Sequence, residues 1–286
     1  MITSITKNKP SFWHKVKNEF VVIKDDLKSF SLPIKILLLL LVLVAIFNSF
    51  FNFKTGKFEF IDPSLTLFKQ VCKILNGFGT IAGVITVGLV TKKKISTFYW
   101  SYIYIPIYAL YCASIGLWAI FQIQMFFFLP CSIAGLFIWK RNMNSNVAEV
   151  KTTPFEWKET LLFLGFFIIV AFFAFYEFKW INQLAGSKID YSNSKDLSKA
   201  IFDAITSCLL MTGQVVQLRR KNFTMLTWLI ADIGMMLSAI IPPSVGWADS
   251  YDFNVIIMTT IFVILAAYGI FRWNILPMIE ARRKKS

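Results

Sequence analysis

Apolar and polar positions fall in long blocks along this chain, not in the short periods of a soluble helix or strand. A helix that crosses a bilayer needs about 20 mostly apolar residues, and the charge-free runs supply candidates of that size. They cover residues 36–53, 74–91, 160–176, 204–218, 222–241 and 253–271. Residues 95–139 form a run of 45, too long for one helix, so two are expected with a turn near Gly116. The short run 204–218 is expected to extend outward past Asp203, and Pro242-Pro243 stops the run before it. Backbone groups in lipid must be paired within their own element. The alternating ten-residue segments of a β-barrel are absent, so the runs predict an all-α integral membrane protein with about eight transmembrane helices.

Composition agrees: 56% of the 286 residues are apolar, 16% are charged and 30 are phenylalanine. A net charge of +14 would indicate nucleic acid in a soluble protein. Here the basic residues flank apolar runs, which is membrane topology, and no nucleic-acid partner is expected. Lys and Arg number 22 on one side of an eight-helix arrangement and 8 on the other. The richer side includes both termini, which places them in the cytoplasm. The first apolar run begins too far in for a cleavable signal peptide. Cys72, Cys112, Cys131 and Cys208 lie in or beside apolar runs without CxxC pairing and read as small hydrophobes. The single histidine, His14, is in the N-terminal tail. No metal spacing, P-loop or triad is present, so neither a cofactor nor an enzyme is expected.

The chain also resembles itself. Thr91-Lys-Lys-Lys-Ile-Ser-Thr-Phe-Tyr-Trp100 aligns at a shift of 128 with Arg219-Arg-Lys-Asn-Phe-Thr-Met-Leu-Thr-Trp228, and Gly135-Leu-Phe-Ile-Trp139 matches Gly269-Ile-Phe-Arg-Trp273. Two three-helix repeats joined by one helix would cross the membrane in the same sense, a transporter architecture with the substrate at the repeat interface. The segments are then a tail at 1–33, with an amphipathic stretch at 12–30, and an additional helix at 34–53. The first repeat is 74–139, the linker helix 160–178, the second repeat 200–273 and the basic tail 274–286.

Gly83-Val-Ile-Thr-Val-Gly-Leu-Val-Thr-Lys-Lys-Lys-Ile-Ser, Tyr108, Leu129-Pro130, Gly135 to Trp139 with Arg141-Asn142, and Gln217-Leu-Arg-Arg-Lys leading to Trp228 and Asp232 resemble the PnuC family. The likeness covers roughly 74–273. It implies a SWEET-like fold of three, one and three helices with an additional N-terminal helix. It also implies a homotrimer in the bacterial plasma (inner) membrane. The function it implies is facilitated diffusion of nicotinamide riboside, which relatives replace with thiamine, riboflavin or deoxynucleosides. The family pattern Trp-x-x-Trp-x-x-x-Asn/Asp has Met225 at its first tryptophan. Ser132 stands where a glutamine is usual, and Tyr104 where an asparagine is expected.

Asp232 is the one acid well inside a run. A carboxylate there is costly unless paired or hydrated, which makes it a functional candidate by default; the plainer alternative is an interhelical hydrogen bond. Trp228, one turn away, shares its face and can stack on a flat ring and favour a cation above it, or can be an interfacial belt residue. Trp100 has the same standing through the repeat. Tyr104 and Tyr108 flank Pro106 and are cavity or packing residues. Gln124, Ser132 and Asn254 are possible polar ligands, and Met225 is a soft neighbour to Trp228. Trp139 and Trp273, beside Lys140 and Arg272, read as belt anchors. A membrane-embedded lipid-processing enzyme and a channel or receptor are the competing classes, and the loops offer the enzyme few acids.

Overall fold

The computed structural model describes residues 12–52, 57–58, 66–114, 118–144, 149–154, 156–184, 190–240 and 253–283. The turn expected near Gly116 and the Pro242-Pro243 stop lie outside them. Apart from Phe51–Asn52 and a few turn residues, the described parts of the apolar runs are helical, and those of the 45-residue run form helices on either side of residues 115–117. α1 (Phe12–Lys28) meets α2 (Leu32–Phe50) at 102°. At the corner the Ser29 hydroxyl donates to the Asp26 carbonyl at 2.6 Å, and Pro33 falls in the first turn of α2, where its missing N–H is harmless.

α3 (Leu67–Thr91) begins on the Thr66 cap and packs on α2, α10 (Phe253–Ile270) and α4 (Thr97–Ser114). α5 (Trp118–Gln122) runs through a wide π-turn, Ile123–Phe128, into α6 (Leu129–Arg141). Then come α7 (Trp157–Leu184), α8 (Ser194–Leu218) and α9 (Thr224–Ile240). A second π-turn, Phe271–Ile275, joins α10 to α11 (Leu276–Arg283). Each π-turn precedes a Leu-Pro pair. Proline cannot donate to the carbonyl four residues back, so the ladder loosens: Leu129 N–H reaches Gln124 O, and Leu276 N–H reaches Phe271 O. The first of these turns has Gln124 and Phe128 buried.

Leu67–Thr91, Ile120–Arg141, Trp157–Ile181 and Ile256–Ile279 are long and apolar enough to cross a membrane, and the bent α1–α2 pair makes a fifth candidate. The apolar parts of α8 and α9, Ala204–Leu218 and Thr224–Leu237, are shorter. α7 shows Leu161, Ile168, Phe172 and Tyr176 on an outward face, as a helix bathed in lipid does. The chain is thus an all-α membrane protein.

The basic residues gather at one end. There, α3–α4 and α8–α9 are joined by turns of the same construction. Lys93 and Arg220 both take left-handed backbone angles, φ 57° and 59°. Lys94 N–H donates to Leu89 O as Lys221 N–H does to Val216 O, and Thr97 N–H to Lys94 O as Thr224 N–H does to Lys221 O. These pairs are 127 residues apart, which corrects the shift of 128 read from the aligned tryptophans. One strap holds both turns: Val150 N–H donates to Lys93 O and Thr153 N–H to Arg220 O, each at 3.0 Å. Met143–Asn144 (β1) and Glu149–Val150 (β2) form the hairpin that leads into it. Lys221 pairs with Glu159 at 2.7 Å.

Trp139 and Trp273 are not belt residues. Both are buried, and each indole N–H donates at 3.1 Å to a backbone carbonyl of a helix that ends in one of the two turns, Trp139 to Gln217 O of α8 and Trp273 to Thr91 O of α3. α1 docks on the same end. Glu19 bonds Lys140 and Tyr99, and Lys92 reaches Ser29 O. Ser96 Oγ donates to Asp26 at 2.7 Å with Lys94 nearby. Burial nevertheless wins at Asp26 and raises its carboxyl above the usual range, against Ser96 and Lys94.

Candidate binding cavity

α3, α4, the first π-turn, α6, α8, α9 and α10 surround a cavity of about 90 Å³, measured as space open to water centres. A water needs about 10–15 Å³ on that scale, so several fit, or a flat ring in their place. The walls are mostly apolar with few polar groups, the usual make-up of a small-molecule site.

The sequence of α9 puts Trp228 and Asp232 one turn apart, and both face this space. Asp232 is 3% exposed, and its Oδ2 has no hydrogen-bond partner. Among the described residues no Lys, Arg or His lines the cavity, so they supply no countercharge there. Trp228 Nε1–H donates to Gln217 Oε1 at 2.8 Å, which fixes the indole. Its ring lies 6.2 Å from Phe128 at 29°. Gly213 passes beneath it, where a Cβ would come within 3.4 Å.

Across the cavity Tyr104 stacks on Tyr108, centroids 5.5 Å apart at 18°, and meets Phe262 edge-on. Gly83 admits Tyr104: a Cβ there would lie 2.9 Å from the ring. Gln124 and Ser132 line the space, brought round by the π-turn and by α6, and Gln124 Oε1 has no partner. Met225 also lines it, but its side chain is seated in the notch over Gly269 and packs with Trp139 and Trp273. It is held, not loose.

Seven of the nine expected residues therefore meet around one space. Trp100 does not: it packs on the side of Phe30, Ile34 and Leu89, with its buried indole nitrogen unpartnered. Asn254 starts α10, but its side chain lies outside the described residues. Gln214, Gln217, Ser101 and Thr259 line the cavity without having been singled out as site residues. Gln214 and Gln217 carried a signal, two amides three apart inside an apolar run.

The model of the nicotinamide mononucleotide transporter family matches residues 73–275. The chain is 34% identical over 77 residues to the nicotinamide riboside transporter PnuC of Escherichia coli K12 and equally to that of Shigella flexneri. Those matches span 27% of this chain and about a third, 32%, of each relative. A crystal structure of the vitamin B3 transporter PnuC shares the fold, with TM-score 0.64 and 16% identity, over 88% of this chain and 95% of that one.

Proposed function

The chain belongs to the nicotinamide mononucleotide transporter family, and from that premise we propose that it carries a small, flat, positively charged vitamin, nicotinamide riboside, across a bacterial inner membrane. The observation that carries the reading is the buried Asp232 carboxyl group, set one turn from a fixed tryptophan in a cavity with no cation among its described lining residues. A charge buried without a partner is costly. A cargo that brings a positive ring supplies the partner and stacks on Trp228 at once. Gln124, with a free carbonyl oxygen, accepts from a hydroxyl or carboxamide. Thiamine, also a cationic ring, is the second reading favoured by the same charge. Neutral riboflavin and deoxynucleosides leave it unmet.

Transport in this reading is facilitated diffusion. Eight helices cross the membrane: an additional first helix at 34–53, three at 74–139, a linker at 160–178 and three at 200–273, with both termini in the cytoplasm. The shared 127-residue offset of the two basic turns supports a repeat. The basic end is then cytoplasmic, and the protein assembles as a homotrimer. Uptake of labelled nicotinamide riboside into proteoliposomes tests the reading, with thiamine, riboflavin and deoxynucleosides as competitors. Only the cationic pair should compete strongly. Competition by riboflavin or deoxynucleosides equal to that of thiamine would overturn it.

A further inference from the structure

α3 carries a second polar feature away from the cavity lining. Asn76 is 1% exposed and Thr80 2%, yet neither end of the Asn76 amide nor the Thr80 hydroxyl has a hydrogen-bond partner. Buried amides and hydroxyls are costly unless bonded, so an unpaired pair one turn apart marks a place where something polar is received. Slack packing does not account for it. Gly77 and Gly79 follow Asn76 on the helix, and a Cβ on the first would strike α2 at Ser49 and one on the second α4 at Ile107. The helices therefore close tightly around the amide.

The position of the pair gives it a direction. Residues 76, 80, 83 and 87 repeat at helical spacing on one face of α3, and Gly83 and Val87 line the cavity. At 1.5 Å per residue, Thr80 lies about 4.5 Å and Asn76 about 10 Å beyond Gly83, on the side away from the basic end. Tyr108, Ile120 and Met258 form an apolar layer at that side of the cavity. Beyond this layer the same helix face turns polar again.

We propose that Asn76 and Thr80 form an outer polar station on the cargo's route, occupied when the cavity opens away from the basic end. An amide offers a donor and an acceptor together, and a hydroxyl offers either. The group received is thus a carboxamide or a ribose-type diol, not the charged ring. The inference rests on the transport reading above.

Two measurements test it. In proteoliposomes, Asn76→Leu and the isosteric Thr80→Val should each slow nicotinamide riboside uptake about tenfold, the worth of one lost hydrogen bond. Calorimetric binding to the purified protein should stay within about twofold, since the main cavity is intact. Uptake at the unmodified rate, or binding and uptake falling in proportion, would overturn the station. The second measurement does not depend on the cargo. Asn76→Cys, in a chain whose four cysteines are replaced by serine, should react with a membrane-impermeant thiosulfonate added on the side away from the basic end. A thiol that stays unreactive overturns the station, even if nicotinamide riboside is carried. A thiol that reacts in a protein that carries no nicotinamide riboside upholds the station and removes only the identity of the cargo.

Discussion

α4 and α9 hold the same place in two turn units, yet they present different chemistry to the cavity. At the basic end they agree: left-handed Lys93 and Arg220, the threonines 97 and 224, then Phe98 over Gly135 and Met225 over Gly269. Further in, at the same offset of 127, Ser101 faces Trp228, Ile105 faces Asp232 and Tyr108 faces Met235 as counterparts, and all six line the cavity. Positions that close the end of the bundle must satisfy one packing geometry in both units. Positions that touch the proposed cargo need not match, because nicotinamide riboside has a ring at one end and hydroxyls at the other. The turn geometry is shared here, and the cavity lining is not.

The largest test of this contrast is Asp232→Asn. If α9 alone carries the charge recognition, affinity for nicotinamide riboside should fall ten- to a hundredfold, about 1.5–3 kcal/mol, while Ile105→Val at the counterpart leaves it nearly unchanged. Calorimetry on the purified variants decides; equal losses at 105 and 232 would erase the asymmetry. Next come the two glycines. Gly135→Ala drives a Cβ into the Phe98 ring, which is fixed edge-on against Trp139 at 5.1 Å, and should cost about 1–3 kcal/mol. Gly269→Ala meets Sδ and Cγ of Met225, an unbranched chain that can change rotamer where the Phe98 ring cannot, and should cost less, about 1 kcal/mol. Thermal unfolding in detergent ranks them, and the reverse order would mean that the seats are not alike.

Gln217→Leu frees the Trp228 indole while leaving the backbone carbonyl that Trp139 uses. Affinity should drop about three- to tenfold with no change in unfolding temperature. The smallest effect separates the turns. Lys93→Gly relieves a left-handed backbone that disfavours side chains by about 1–2 kcal/mol but restores freedom to the unfolded chain, for a net gain below about 1 kcal/mol. Arg220→Gly gains less, because its guanidinium also donates to Lys151 O at 2.9 Å. Identical unfolding temperatures for the two would show that this bond contributes nothing.

Much of this was legible in the chain because lipid leaves few choices. Backbone pairing makes each charge-free run a helix, and a lone acid such as Asp232 inside one has to be explained. What the sequence left hidden depended on neighbours. Trp139 and Trp273 sit beside cations, which fits a membrane boundary, and nothing local reveals that another helix covers them. Matching Trp100 to Trp228 because they are the same residue moved the register by one. One residue is about 100° of helix rotation, enough to turn Trp100 toward Phe30 and away from the cavity. Gln217 looked like the end of a short run; its role appears only once α9 lies alongside it.

The crossed tryptophans have a consequence for how such a chain can change over generations. The Trp139 N–H is satisfied by a carbonyl of α8, and the Trp273 N–H by a carbonyl of α3. A helix swapped in for α8 or α3 that ended elsewhere would orphan a buried donor on α6 or in the second π-turn. A change that moves either carbonyl must therefore be matched at the tryptophan that uses it, or a buried N–H is left unpaired.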